Sequence, residues 1–171
     1  MKRSFSIKDL CLPIALAAGL FIILSGASIQ GFLAAGDHGR DLYAFERTLH
    51  GDIAYRDYWW VYGPLMPFYY AVFMKLYGVS IMSVLVGKAL LKLAAGLFIF
   101  LAVARVAHPV AAMLGAIWFY LFSQEFFYTY NHIGGIVCVT AIAALLMAYI
   151  KEHRIGWLWA AALTAFILGF I

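Results

Sequence analysis

The chain has 171 residues, of which 66% are hydrophobic and only 12% charged, with a mean hydropathy of +0.93. A water-soluble domain is about 45–50% apolar and about 25% charged, and a globule of about 150 residues buries only about 70% of its chain surface. These numbers exclude a soluble globule, and disordered, collagen-like and disulfide-scaffold classes with it, and predict an integral membrane protein. The net charge of +4 is spread between apolar stretches without a basic run. It reads as membrane topology and not as a nucleic-acid surface. Cys11 and Cys138 both sit in apolar segments and read as small buried hydrophobes.

Residues 1–9 form a polar, basic start with Lys2, Arg3 and Lys8. The apolar stretch 10–36 is longer than the core of about 7–15 residues in a signal peptide, so it reads as a retained first span. Residues 37–61 are the polar part of the chain and hold Asp37, Asp41, Glu46, Asp52 and Asp57 beside Arg40, Arg47 and Arg56. Leu42, Phe45 and Leu49 recur there at helical spacing before Gly51. That pattern predicts a short amphipathic surface helix over 40–50, with Glu46 on its solvated face. Pro64 then opens a helix that runs to Tyr77 and stops at Gly78. It is about 21 Å long, short of the about 30 Å of hydrocarbon, and is read as interfacial or re-entrant. Spans are expected at 81–106, 109–127, 133–150 and 155–171, with 37–80 as the first outer loop. The last span stops without a polar flank, which predicts that the chain is part of a longer one.

Charge decides the orientation. If 64–77 does not cross, the N-terminus, Arg105 and the cluster Lys151, Glu152, His153 and Arg154 share one side. The positive-inside rule makes that side cytoplasmic and turns the acidic loop outward. The expected fold is therefore all-α: one polytopic membrane helix bundle, 1–171, with about five transmembrane helices and interfacial helices in the first outer loop.

That outer loop concentrates the polar chemistry beside aromatic rings, ten of the 30 in the chain falling between Tyr55 and Tyr77. The string DHGRDLYAFERTLHGDIAYRDYWWVYGPLMPFYYAVFMKLYG, residues 37–78, has an acidic loop, then a G-x-x-Y-R-D-like stretch, then an aromatic G-P-L turn, then a short helix ending in L-Y-G. In this order it resembles the first outer loop of polytopic glycosyltransferases of the GT-C fold. That family includes protein O-mannosyltransferases and bacterial lipid A aminoarabinose transferases (glycosyltransferase family 39).

The resemblance implies a sugar donor on a polyprenyl phosphate and an acidic residue in this loop that serves as catalytic base or helps hold a divalent metal. Members often carry adjacent acids here; this chain has Asp37 and Asp41, four apart. Asp41 is favoured as base because it lies in the GRDLYA string, with Asp37 second, although Asp37 also suits a helix N-cap. Asp57 could act as base or, with Asp41, as a ligand for Mg²⁺ or Mn²⁺, or simply pair with Arg56 or Arg40. The donor phosphate calls for cations, and Arg40, Arg56, Lys88 and Lys92 are candidates. Lys88 and Lys92 share one helix face, about 10 and about 16 Å along their span. Asn131 and His132 stand where related transferases begin their fourth span with a polar residue, in an outer cluster with Gln124, Glu125, Tyr128 and Tyr130. Tyr58, Trp59, Trp60 and Tyr62 offer a ring wall for a sugar or a headgroup, or an interfacial belt.

The expected function is a membrane glycosyltransferase, or its N-terminal part, in a bacterial inner membrane. It would use membrane lipids as its setting and a lipid, glycan or protein as acceptor, with no nucleic-acid partner. A non-catalytic membrane subunit or transporter fragment is the alternative, with Lys88, Lys92 and Glu125 marking a polar path.

Overall fold

The computed structural model describes residues 19, 22, 37–122 and 130–171. The expected tail 1–9, the first span 10–36 as a segment, Cys11, and the stretch with Gln124, Glu125 and Tyr128 lie outside the described residues. Among the described residues the chain is helical: α1 (Asp37–Leu49), α2 (Leu65–Tyr77), α3 (Ile81–Ala104), α4 (Pro109–Phe122), α5 (Tyr130–Glu152) and α6 (Ile155–Leu168). An isolated bridge joins Ala54 and Tyr58.

Helix α1 is already formed at Asp37, three residues before the leucine spacing suggested. Asp37 supplies the negative charge that a helix N-terminus favours, and it meets Arg40 one turn on at 3.3 Å. The buried face is also different: His38, Asp41, Ala44, Phe45 and Thr48 point inward, while Leu42 and Leu49 sit at its edge. Gly51, at φ +97°, turns the chain out of the helix.

Pro64 stands just before α2, where its missing N–H costs nothing. Gly78, at φ +89°, makes the reversal into α3. Ser80 caps α3 by accepting the Ser83 N–H at 3.2 Å, and the Ser83 hydroxyl donates to the Gly78 carbonyl at 2.6 Å. Tyr69 donates its hydroxyl to the Gly87 carbonyl at 2.8 Å, which clamps α2 to α3.

Helices α3 and α5 have 24 and 23 residues and are long and apolar enough to cross a membrane. Helices α4 and α6, at 14 described residues each, are shorter. Helix α3 packs on α5 and α4, α5 packs on α6, and α2 links α1 to α3 and touches α5. Lys88 lies over the Tyr130 ring at 5.3 Å, so α3 and α5 begin at the same end of the bundle. The end of α6 returns there too: the Gly63 and Leu65 N–H groups donate to the Ile171 and Phe170 carbonyls, each at 2.9 Å. Arg105 and the 151–154 cluster fall at the other end.

Small residues fill the helix contacts. Ala112 and Ala116 of α4, and Ala141, Ala144 and Ala148 of α5, are buried, whereas Leu114, Trp118, Leu121, Trp159, Leu163 and Phe166 face outward. The larger core lies at the α1 end, where Phe45, Tyr58, Trp60, Met66, Tyr70 and Tyr130 pack together.

Gly63 is the seam of that end. A Cβ there would lie 2.1 Å from the Phe170 carbonyl carbon, a clash of backbone on backbone that no rotamer relieves. Gly63→Ala is expected to detach the end of α6 and lose both seam hydrogen bonds, each worth about 1 kcal/mol net. Hydrogen exchange should show the two seam amides, at position 63 and at Leu65, exchanging faster in the variant by about tenfold or more. Unchanged protection would mean the seam does not form.

Candidate functional site

The site grows from the inward face of α1. Asp41 has no exposed surface. Its Oδ1 accepts two N–H groups of Arg40, at 2.9 and 3.1 Å, a forked and charge-assisted pairing. The same guanidinium reaches Asp37 at 3.3 Å and lies over the rings of Tyr62 and Trp60, at 5.2 and 5.8 Å. One cation therefore ties the two carboxylates to the ring cluster. Asp41 Oδ2 is buried without a hydrogen-bond partner among the described residues. Burial pushes the Asp41 carboxyl above its ordinary value, against Arg40, the Tyr130 backbone N–H and the His38 ring, which all favour the anion.

Helix α5 supplies the facing side. Its described part already includes Tyr130, ahead of the 133 that its hydropathy suggested, so Tyr130, Asn131 and His132 belong to the helix. Tyr130 is buried against His38, with ring centroids 5.0 Å apart. Asn131 is 1% exposed, and neither its Nδ2 nor its Oδ1 has a hydrogen-bond partner among the described residues. His132 is exposed and meets the Tyr62 ring edge-on at 6.0 Å. Between α5 and α6 runs a groove of about 640 Å³. Tyr62, Asn131 and His132 form its head, and Ile136, Val139 and Leu168 line its walls.

The expected ring wall divides. Tyr58 is buried, its hydroxyl 2.7 Å from that of Thr48. Trp60 is buried and donates its indole N–H to the Gly63 carbonyl at 3.0 Å. Both are core residues of this end. Trp59 is 72% exposed, and Tyr62 is half-buried at the groove.

Arg56 and Asp57 form their own ion pair at 2.8 Å in the exposed turn after α1. Arg56 and the Ile53 N–H hold the Asp57 carboxyl down at about 2. Lys88 is half-buried over Tyr130, and Lys92, one turn further in, is 2% exposed. The sequence reasoning missed His38, Tyr70 and Tyr130 as the packing around Asp41. The signal for His38 was its place on the 38–41–45–48 face.

The residues do not fit the anticipated Mg²⁺ or Mn²⁺ pair of Asp41 and Asp57. Each carboxylate engages its own arginine, and the charge between Asp37 and Asp41 is supplied by Arg40. Among the described residues no three His, Cys, Asp or Glu side chains gather to hold a metal. No protein-family model, curated protein or solved structure matches this chain.

Proposed function

We propose that the chain is a multi-pass membrane glycosyltransferase, or the N-terminal part of one, that moves a sugar from a polyprenyl-phosphate donor to an acceptor hydroxyl. Asp41 carries this reading: a carboxylate with no exposure, one oxygen forked by Arg40 and the other without a partner among the described residues, beside an apolar helix long enough to cross. The outward-facing Leu, Trp and Phe side chains of α4 and α6 suit a lipid solvent. The positive-inside rule puts the Arg105 and 151–154 end in a bacterial cytoplasm and the Asp41 end outside the inner membrane.

In this mechanism the Asp41 carboxylate takes the proton of the acceptor hydroxyl. The oxygen forms its bond to the anomeric carbon as the bond from that carbon to the phosphate oxygen breaks. Polyprenyl phosphate leaves with the electron pair. Arg40 holds the base in place, and burial makes it a stronger base than a solvated aspartate. The acceptor is a lipid, glycan or protein hydroxyl on the non-cytoplasmic face. A second reading, a non-catalytic subunit or transporter, is favoured by one observation: Lys92 is buried halfway along α3.

The deciding assay is transfer from a labelled polyprenyl-phosphate hexose by the full chain in lipid nanodiscs. Transfer supports the enzyme, and solute or ion flux across a liposome of the nanodisc lipids without transfer supports the second reading. The pH profile adds a check on the base. Asp41 works only when ionised and its pKa is raised. The acid limb of kcat/KM is therefore expected at a pH above about 3.9, the ordinary aspartate value. A limb at or below that value would remove Asp41 from the role. Activity that survives EDTA would leave the work with the protein's own residues, whereas loss restored by Mg²⁺ or Mn²⁺ would assign the metal.

A further inference from the structure

We propose that α2 lies flat at the surface of the bilayer, with Leu65, Phe68, Val72 and Leu76 sunk among the phospholipid acyl chains of the leaflet where α3 begins. The boundary between lipid and water then runs between α2 and α1. The proposal rests on the membrane part of the reading above and not on its sugar chemistry. It starts from the two faces of α2. Met66, Pro67, Tyr70, Ala71 and Met74 are buried. Tyr70 stacks on Phe45 of α1 at 4.6 Å, and Tyr69 bonds to α3. The opposite face is also apolar, yet uncovered. Its four residues, three or four apart as one helical stripe, run from 38% exposed at Leu65 to 67% at Leu76. A contiguous apolar surface of this kind is rarely left to water and marks an interaction site.

Three observations name lipid as what covers it. The first is where the ends of α2 lie. Its N-terminal end is held to the end of α6 through the Gly63 and Leu65 N–H groups, and its C-terminal end joins the start of α3 through residues 78–80 alone. Both ends therefore sit at one end of the bundle, and the 13 residues between them, about 20 Å in length, lie across it. A re-entrant helix would carry one end toward the midplane, so the interfacial alternative is the one that fits. The second observation is continuity. Beyond Gly78 the apolar exposure carries on through Val79, Ile81 and Met82 into α3, a helix long and apolar enough to cross. Residues that lead directly into a spanning helix stand at the level where it enters the hydrocarbon.

The third is the contrast with α1. Its outward residues Tyr43, Glu46 and His50 are exposed and polar. The two helices pack together on their inner sides, so the outer face of α1 suits water and that of α2 suits lipid. Lys75, the one charged residue of α2, is exposed at the edge of the stripe. From there its stem can lie along the acyl chains while its ammonium reaches the phosphates. A surface helix of this type sinks its apolar face about 5–10 Å into the boundary of headgroups and chains. Asp41 faces inward from α1, so this placement sets the carboxylate at headgroup level, above the acyl chains.

The test uses the full chain in nanodiscs of phosphatidylethanolamine and phosphatidylglycerol, with Cys11→Ala and Cys138→Ala and one nitroxide-labelled cysteine added at a time. Phe68→Cys and Val72→Cys sit on the stripe, Glu46→Cys on the outer face of α1, and Leu90→Cys on the exposed side of α3, about 14 Å along that helix. Collision with molecular oxygen, which dissolves in acyl chains, is compared with collision with a nickel chelate confined to water. The labels at positions 68 and 72 should resemble the one at position 90, with an oxygen-to-nickel ratio several-fold above that at position 46. Nickel access on the stripe equal to that at position 46 overturns the proposal, since the stripe would then face water. So does screening from both reagents, which would mean that protein covers it. An oxygen-rich label at position 46 overturns it too, because α1 would then lie in the chains as well. In each of these cases a lipid-facing label at position 90 leaves the membrane reading standing, whereas nickel access there removes that reading and the placement of α2 together. The unlabelled wild-type protein gives a second readout. Phospholipids with a photoreactive diazirine on the acyl chain should form adducts at Phe68 or Val72, within the tryptic peptide 57–75, and none in the α1 peptide 41–47. Adducts on α3 without any on the stripe would overturn the proposal.

Discussion

Asp41→Asn is expected to lower sugar transfer by about 10²–10⁴-fold, the range for a lost general base, while membrane insertion and folding survive. The substitution keeps the shape of the side chain and an oxygen that can accept from Arg40. It removes the basicity, and it also removes a charge that burial opposes. Initial rates normalised to folded protein in the membrane give the measurement. Asp37→Asn is the control. Asp37 lies at the exposed start of α1, 46% exposed at its side chain, and touches Arg40 only at 3.3 Å. It should stay within a few-fold of wild type, as expected of an exposed ion pair. Full activity in Asp41→Asn would shift the base to Asp37 or Asp57. Loss in both variants would make the Arg40-linked pair of carboxylates the working unit.

Much of this end of the molecule can be read from the chain because its punctuation is strong. Gly51, Pro64 and Gly78 stop and start helices where backbone conformation requires them, and the structure puts the breaks there. The helix starts were harder. Asp37 and the Asn131–His132 pair lower the local hydropathy, so both regions look like loop, yet each lies in a helix that turns a polar residue inward, His38 in one and Asn131 in the other. The burial of Asp41 could not be read locally, since it depends on Tyr130, far along the chain and brought against α1 by the bundle. The ring wall carried a local signal that density alone hid. From Tyr58 to Val61 burial alternates in, out, in, out, the period of an extended segment. Tyr58 and Trp60 therefore belong to the core while Trp59 points away. Lys92 shows the opposite case, where a depth of about 16 Å along α3 already marked the side chain as inward.

Arg40→Ala is expected to destabilise the folded protein by about 2–3 kcal/mol at neutral pH. This is below the about 3–5 kcal/mol of a wholly buried pair, because Arg40 keeps 24% of its side chain exposed. The loss has two parts with different pH behaviour. The guanidinium lies over Tyr62 and Trp60, and that stacking, about 0.5–1 kcal/mol, does not titrate in the carboxylate range. The rest arises from Asp41, which without Arg40 becomes a buried anion with no countercharge on its Oδ1. Its folded pKa, already raised by burial, rises further. A group with a raised folded pKa binds its proton more tightly in the folded state than in the unfolded state. Its favourable contribution is complete below the unfolded value, about 3.9, and is lost as pH rises through the folded pKa. The deficit of Arg40→Ala against wild type should therefore be largest at neutral and alkaline pH and shrink as the medium is acidified toward the ordinary carboxylate range. Arg40→Lys should fall between the two proteins, because an ammonium keeps the charge but cannot fork onto Oδ1. Thermal unfolding in detergent across that pH range separates the parts. A deficit that does not change with pH would mean that Arg40 acts through the rings alone, and Asp41 would then lose the partner that orients it as a base.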